Sequence, residues 1–258
     1  AMSLTEECSH TYETCAFVDE IDFAKLGNGS WRVIPTTDLV LKNESLLGVP
    51  SAQIVEPLVG IEPSTFTLDR EYVLEECAIE QGDLFVSIVG DVGSWQDIVA
   101  MAVRLKIANQ RGVFVLPSTY RDRALLEHAA KSNGVDEMIC ELPTSIRQLD
   151  VIRQADCAWC PSPATFDYSL NVLDVLSAAW EETPLACSCE HPVASLPTIG
   201  PHIAWAMDEI EIFGWLLDIA SNPIQFEETS AQRAATVRAF ASPIRFIESL
   251  QMRMHEFV

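Results

Sequence analysis

The fold is decided by residues 156–189, DCAWCPSPATFDYSLNVLDVLSAAWEETPLACSC. Cys157, Ala158, Trp159 and Cys160 form a short apolar run that Pro161-Ser162-Pro163 stops, the pattern of a buried strand. A polar turn over residues 164–169 follows. Leu170, Val172, Leu173, Val175, Leu176 and Ala179 then recur at helical spacing. Ser169 stands where a hydroxyl caps such a helix by accepting from an amide of its first turn. Glu181-Glu182-Thr183-Pro184 ends the helix, and Leu185 opens the next strand. Strand, turn, helix and strand make one βαβ unit, which meets ligands just beyond the carboxyl ends of its strands. Asp174, a polar residue one turn into the helix, is therefore a candidate ligand contact.

The same alternation extends upstream. Residues 84–89 read as a buried strand, Gly90-Asp91-Val92-Gly93-Ser94 as a glycine turn, and residues 95–110 as a helix with Ile98, Met101, Ala102 and Leu105 on one face. Residues 113–116 form the second strand. Leu125, Leu126 and Ala129 mark a helix that Asn133-Gly134 stops. A strand over 137–142 and a helix over 145–155 lead into the opening stretch. Regular alternation of this kind predicts an α/β domain with a Rossmann-like, doubly wound parallel sheet. Downstream, residues 204–207, 210–220 and 231–254 read as helices. At the other end, residues 1–30 are polar and read as an irregular arm, followed by a short strand over 31–35.

Composition narrows the function. The chain has 258 residues, 48% hydrophobic and 21% charged, enough to bury a sizeable core. Its formal net charge of −22 excludes a nucleic-acid surface and an anionic membrane as partners. No apolar run reaches the ~18 residues that a membrane span requires. Eight cysteines, at 8, 15, 77, 140, 157, 160, 187 and 189, are too scattered for a disulfide scaffold and point to reduced, cytoplasmic thiols. Cys157 and Cys160 stand at i and i+3 of one strand, so they face opposite sides and do not chelate one ion. They are read as core thiols, and no metal site is expected.

PSPATFDYSLNVLDVLSAAWEETPLA resembles the signature of the group-1, family-four retaining glycosyltransferases of the GT-B fold. The family pattern runs roughly P-S-x-x-E-G-F-G-L-P-x-L-E-A-M-A-x-G-x-P-V. Its second glutamate falls on Asp174, one methylene shorter, and its first falls on Phe166, with Asp167 beside it. Upstream, Leu47-Gly48-Val49-Pro50 and Ile54-Val55-Glu56-Pro57-Leu58-Val59-Gly60-Ile61-Glu62 match the passage that leads from the first lobe into the second. The resemblance covers residues 38–255 and divides the chain into an arm (1–37), an interlobe-type connection (38–82) and a nucleotide-sugar-binding domain with C-terminal helices (83–258).

The resemblance implies a nucleotide-diphosphate sugar as donor and retaining hexosyl transfer without a metal or cofactor. It implies Asp167 as the catalytic carboxylate at the sugar, and Asp174 on the ribose hydroxyls. Ser169, Leu170 and Asn171 would present amides to the diphosphate. Gly90 and Asp91 would stand at the phosphate-facing turn, which a helix N-terminus makes receptive to anions. The family carries cations at this turn, where this chain has Asp91 and the neutral run Ser94-Trp95-Gln96. A complete enzyme of this fold has a further lobe of comparable size, so the expectation is that a first lobe or partner protein supplies it. The alternative is a catalytically inactive relative that acts as a binding or interaction module, and the missing cations and Phe166 point that way.

Overall fold

The computed structural model describes residues 14–18, 31–35, 68–90, 94–118, 120–161, 172–188, 205–242 and 248. The chain forms two compact units, Ala1–Glu62 with Phe240–Val258, and Pro63–Ala239. In the first, β1 (Thr14–Val18) pairs in parallel with β2 (Trp31–Pro35). The strand expected over 31–35 is present, and part of the region read as irregular is a second strand beside it.

The second unit is built on a six-stranded sheet. Its strands are β3 (Leu84–Ile88), β4 (Gly112–Leu116), β5 (Ile139–Glu141), β6 (Cys157–Cys160), β7 (Leu185–Ser188) and β8 (Trp205–Met207). They lie in the order β5-β4-β3-β6-β7-β8, and every pairing is parallel. The helices are α1 (Arg70–Glu76), α2 (Trp95–Ile107), α3 (Arg123–Asn133), α4 (Gln148–Gln154), α5 (Val172–Trp180), α6 (Glu209–Ser221) and α7 (Ile224–Ala241). This is the doubly wound α/β architecture that the alternation predicts.

The central strands are mostly apolar because helices cover both faces of the sheet. Alternate residues of β3 and β4 divide between two cores. Leu84, Val86, Ile88, Phe114 and Leu116 join Ile98, Met101, Ala102 and Leu105 of α2, Leu126 of α3 and Leu216 of α6. Phe85, Val113 and Val115 face Val73 of α1 and Val151 of α4. The α2 face expected from spacing is the face buried here. Each large buried side chain contributes about 1.5–3 kcal/mol, so these two layers hold the unit together. Gly112 reflects the closeness of α2: a Cβ there would stand 3.0 Å from Leu105 Cδ1.

Helix ends follow local chemistry. Ser94 caps α2 by accepting from the Asp97 amide at 3.3 Å. Asp208 and Glu211 form a capping box at α6. That box explains one departure from expectation, since an N-cap requires extended backbone at Asp208 and the helix starts only after it. Trp205–Met207, read as helical, is strand β8 paired with β7. The last helix also starts earlier than its pattern indicates. Its buried face carries Ser230, Ala234 and Val237, residues too small to print a strong apolar period. Among the described residues no helix is long and apolar enough to cross a membrane.

Candidate functional site

Strand order reverses between β3 and β6, which pair side by side while their following connections run to opposite halves of the sheet. Such a reversal is the switch point at which doubly wound domains bind ligands in a crevice beyond the carboxyl ends of the strands. On the β3 side, the Val89 amide donates to the Trp159 carbonyl at 2.9 Å, which keeps the chain on β6 one residue past the strand. Gly90 then turns with φ +93°, and no atom lies within 4 Å of where its Cβ would stand. Backbone conformation rather than space selects glycine here. Ser94 and α2 follow, with Asp97 in the first helical turn.

On the β6 side the strand ends at Cys160 and Pro161. The chain resumes in α5, which connects β6 to parallel β7 and so begins at the carboxyl side of the sheet. Asp174 is the third residue of that helix. Gly90 and the backbone of Asp174 thus belong to the two elements that flank the switch point. Asp91, Asp167, Ser169, Leu170 and Asn171 lie outside the described residues, as does Phe166, and for Asp174 only the backbone is described.

The structure adds groups that the sequence reading missed. Gln148, the first residue of α4, donates through Nε2 to Ser87 Oγ at 3.1 Å and to the Ile88 carbonyl at 2.9 Å. It therefore holds the last turn of β3 just before Gly90. Its Oε1 is buried and has no partner among the described residues. Arg147, the residue before it, binds Asp150 through Nε at 2.7 Å and Nη2 at 2.9 Å. Asp150 is 1% exposed, and its hydrogen bond raises the Arg147 pKa above the ordinary value. Tyr120, in the loop after β4, is pushed up by burial and then by the Asp122 and Asp97 carboxylates, so it stays a neutral phenol. The only sequence signal for Ser87 is a hydroxyl inside an apolar run. Gln148 has none, because its role comes from a contact across the fold.

Among the described residues, then, the switch point carries a glycine turn, neutral hydrogen-bonding groups and an arginine bound to a carboxylate. This suits recognition of a polar ligand. The class that the fold defines is a Rossmann-like domain of the kind that builds GT-B glycosyltransferases. No protein-family model and no curated protein matches the chain. Among solved structures it is similar to HepE of Anabaena in complex with UDP-glucose, with a TM-score of 0.68 at 9% identity over 90% of this chain and 66% of that one. It is also similar to WaaG, a glycosyltransferase of lipopolysaccharide biosynthesis, with a TM-score of 0.62 at 13% identity over 85% of this chain and 62% of WaaG. A glycosyltransferase from Rickettsia africae gives a TM-score of 0.62 at 12% identity over 88% and 63%. The chain therefore shares their fold and spans 62–66% of the length of these three proteins.

Proposed function

We propose that this chain is a nucleotide-sugar-binding glycosyltransferase domain which, with a first lobe supplied elsewhere, transfers a hexosyl group with retention and without a metal. The supporting observation is the reversal of strand order at β3 and β6, flanked by the Gly90 turn and the helix of Asp174, in a fold shared with HepE. In this reading Asp174 accepts from the ribose hydroxyls, and Ser169, Leu170 and Asn171 hold the diphosphate. Asp167 serves the sugar, while Gly90 and Asp91 line the phosphate-facing turn. Residues 1–37 form an arm, 38–82 the interlobe connection and 83–258 the binding domain, working in the cytoplasm.

One observation favours a second reading, that of an inactive relative kept as a binding module. Arg147, the arginine next to Gln148 at the switch point, is bidentate to Asp150, and the chain carries a net charge of −22. Among the described residues beside Gly90 this leaves amides to meet a diphosphate, which forgoes charge-assisted bonds of about 1.5–3 kcal/mol each.

Calorimetric titration with UDP, GDP and ADP separates the two, comparing wild type with Asp174→Ala. Saturable binding of one nucleotide, lost in the variant, supports the donor site. Silence at millimolar nucleotide removes it and leaves the module.

A further inference from the structure

The peptide unit that joins Ile88 to Val89 is held at both edges. Its N–H, on Val89, donates to the Trp159 carbonyl of β6 at 2.9 Å. Its carbonyl, on Ile88, accepts from Nε2 of Gln148, the first residue of α4, at 2.9 Å. A peptide unit is planar, so bonds to its opposite edges fix its rotation about the chain. The next residue is Gly90, which leaves the strand with φ +93°. Gln148 Nε2 also donates to Ser87 Oγ at 3.1 Å, and Ser87 is fully buried. α4 in turn is anchored by buried Asp150, Val151 and Ile152, and Arg147 binds Asp150 from the residue before the helix. A packed helix therefore supplies the grip on the end of β3.

Stability alone does not account for this contact. Gln148 Oε1 is buried with no partner among the described residues, and an unmet buried acceptor is destabilising. Trp159 Nε1 is also buried and unmet among them, and Trp159 is in register with Ile88. Two orphaned polar groups thus belong to residues at the carboxyl end of one seam, and such groups call for a role beyond packing. We propose that Gln148 is a positioning residue: by holding the Ile88–Val89 peptide it sets the Gly90 turn in the conformation that receives a phosphate-bearing ligand. This rests on the reading of that turn as part of the donor site. Gln148 touches no ligand in this role and acts through Gly90.

Stability and affinity respond differently when the grip is removed. Gln148→Met keeps a side chain of similar length but deletes both donated bonds and the orphaned acceptor together. The lost bonds and the relieved orphan oppose each other, so the melting temperature should move little. Nucleotide affinity has no such offset, because the peptide before Gly90 is then held at its N–H edge alone. It should fall about tenfold, the worth of one neutral hydrogen bond. Ser87→Ala releases one of the two anchors of the Gln148 amide. It is the milder variant should Gln148→Met fail to fold, and should shift affinity in the same direction.

The test takes two readings on the full chain. Hydrogen exchange of the free protein follows the Val89 and Gly90 amides, which should exchange faster in Gln148→Met while those of β4 stay as in wild type. Calorimetric titration with UDP, GDP and ADP, at a temperature where every variant is folded, follows affinity. A double-mutant cycle with Gly90→Ala then decides between positioning and plain packing. If Gln148 acts through the turn, the two losses of affinity are not additive, because the turn is disturbed only once. Additive losses, unchanged affinity, or a loss no larger than the melting temperature accounts for overturn the proposal. Should wild type bind none of the three nucleotides, the donor-site reading fails and exchange alone judges Gln148. Faster exchange at Val89 and Gly90 then upholds its hold on the turn, and unchanged exchange overturns it.

Discussion

Asp156 and Phe85 exchange two hydrogen bonds across the centre of the sheet. The Asp156 amide donates to the Phe85 carbonyl at 2.9 Å, and the Phe85 amide donates to Asp156 Oδ2 at 2.8 Å. The other carboxylate oxygen accepts from Arg70 at 2.7 Å, and the Arg70 guanidinium lies 6.0 Å from the centre of the Phe85 ring. One carboxylate thus joins β3, β6 and α1 at the amino-terminal side of the sheet, opposite the candidate crevice. Asp156→Ala leaves the amide of fully buried Phe85 without its acceptor and should cost about 2–3 kcal/mol. Asp156→Asn keeps an acceptor and should cost less. Urea titrations of the three proteins measure both, and an alanine variant within about 0.5 kcal/mol of wild type would refute the role.

Arg153 and Glu181 make a bidentate pair, Nε to Oε2 at 2.8 Å and Nη2 to Oε1 at 2.9 Å, with side chains only 13% and 11% exposed. The Glu181 hydrogen bond raises the Arg153 pKa, so the guanidinium keeps its charge where little water reaches it. Glu181→Ala should therefore destabilise by about 2–3 kcal/mol, whereas Arg153→Met with Glu181→Leu should recover most of the loss, because no charge then needs a partner. The comparison is a double-mutant cycle in denaturant. A double variant as unstable as Glu181→Ala would contradict this account.

Three helices close with the same pair of hydrogen bonds around a left-handed residue, and three residue types fill the position. It is Ala78 after α1, Asn109 after α2 and Gly134 after α3, with φ of 53°, 56° and 66°. An L-residue costs about 1–2 kcal/mol in this conformation, partly offset by the greater chain entropy that glycine loses. Ala78→Gly should thus raise stability by about 0.5–1 kcal/mol, and Gly134→Ala should lower it by about 1 kcal/mol. Thermal melting of both variants checks the signs, and equal signs would rule the explanation out.

Gly90→Ala is expected to cost about 1–3 kcal/mol through backbone strain alone, since its Cβ would meet nothing within 4 Å. If the turn after β3 faces the ligand, nucleotide affinity should fall further than the melting temperature accounts for. Titration at a temperature where the variant is fully folded separates the two effects. Unchanged affinity would move the ligand away from this turn.

What could be read from the sequence was local. The β6-α5-β7 unit announces itself through one apolar run, one proline stop and one helical period, and all three elements are present. Asn133-Gly134 ends its helix as read, and Gly90 stands out as a glycine between strand and helix. Trp205–Met207 misled because three residues of helix-compatible type print no period, and the pairing with β7 decides their conformation. Gln148 was invisible for a related reason. Its partner Ile88 lies 60 positions away, and nothing in the identity of either residue marks the contact.

The order of the sheet has a consequence for how the unit is made. β3 can pair with β4 as soon as α2 has formed between them, but its other edge waits for β6, whose Cys157 meets Val86. Until β6 has been synthesised, β3 has β4 as its one neighbour in this sheet, and its other edge lacks a partner. Closing so long a loop brings an entropic cost that local contacts cannot offset, so the unit folds more slowly than a helical bundle of its size. The seam that joins the two halves is also the one whose carboxyl end is the switch point.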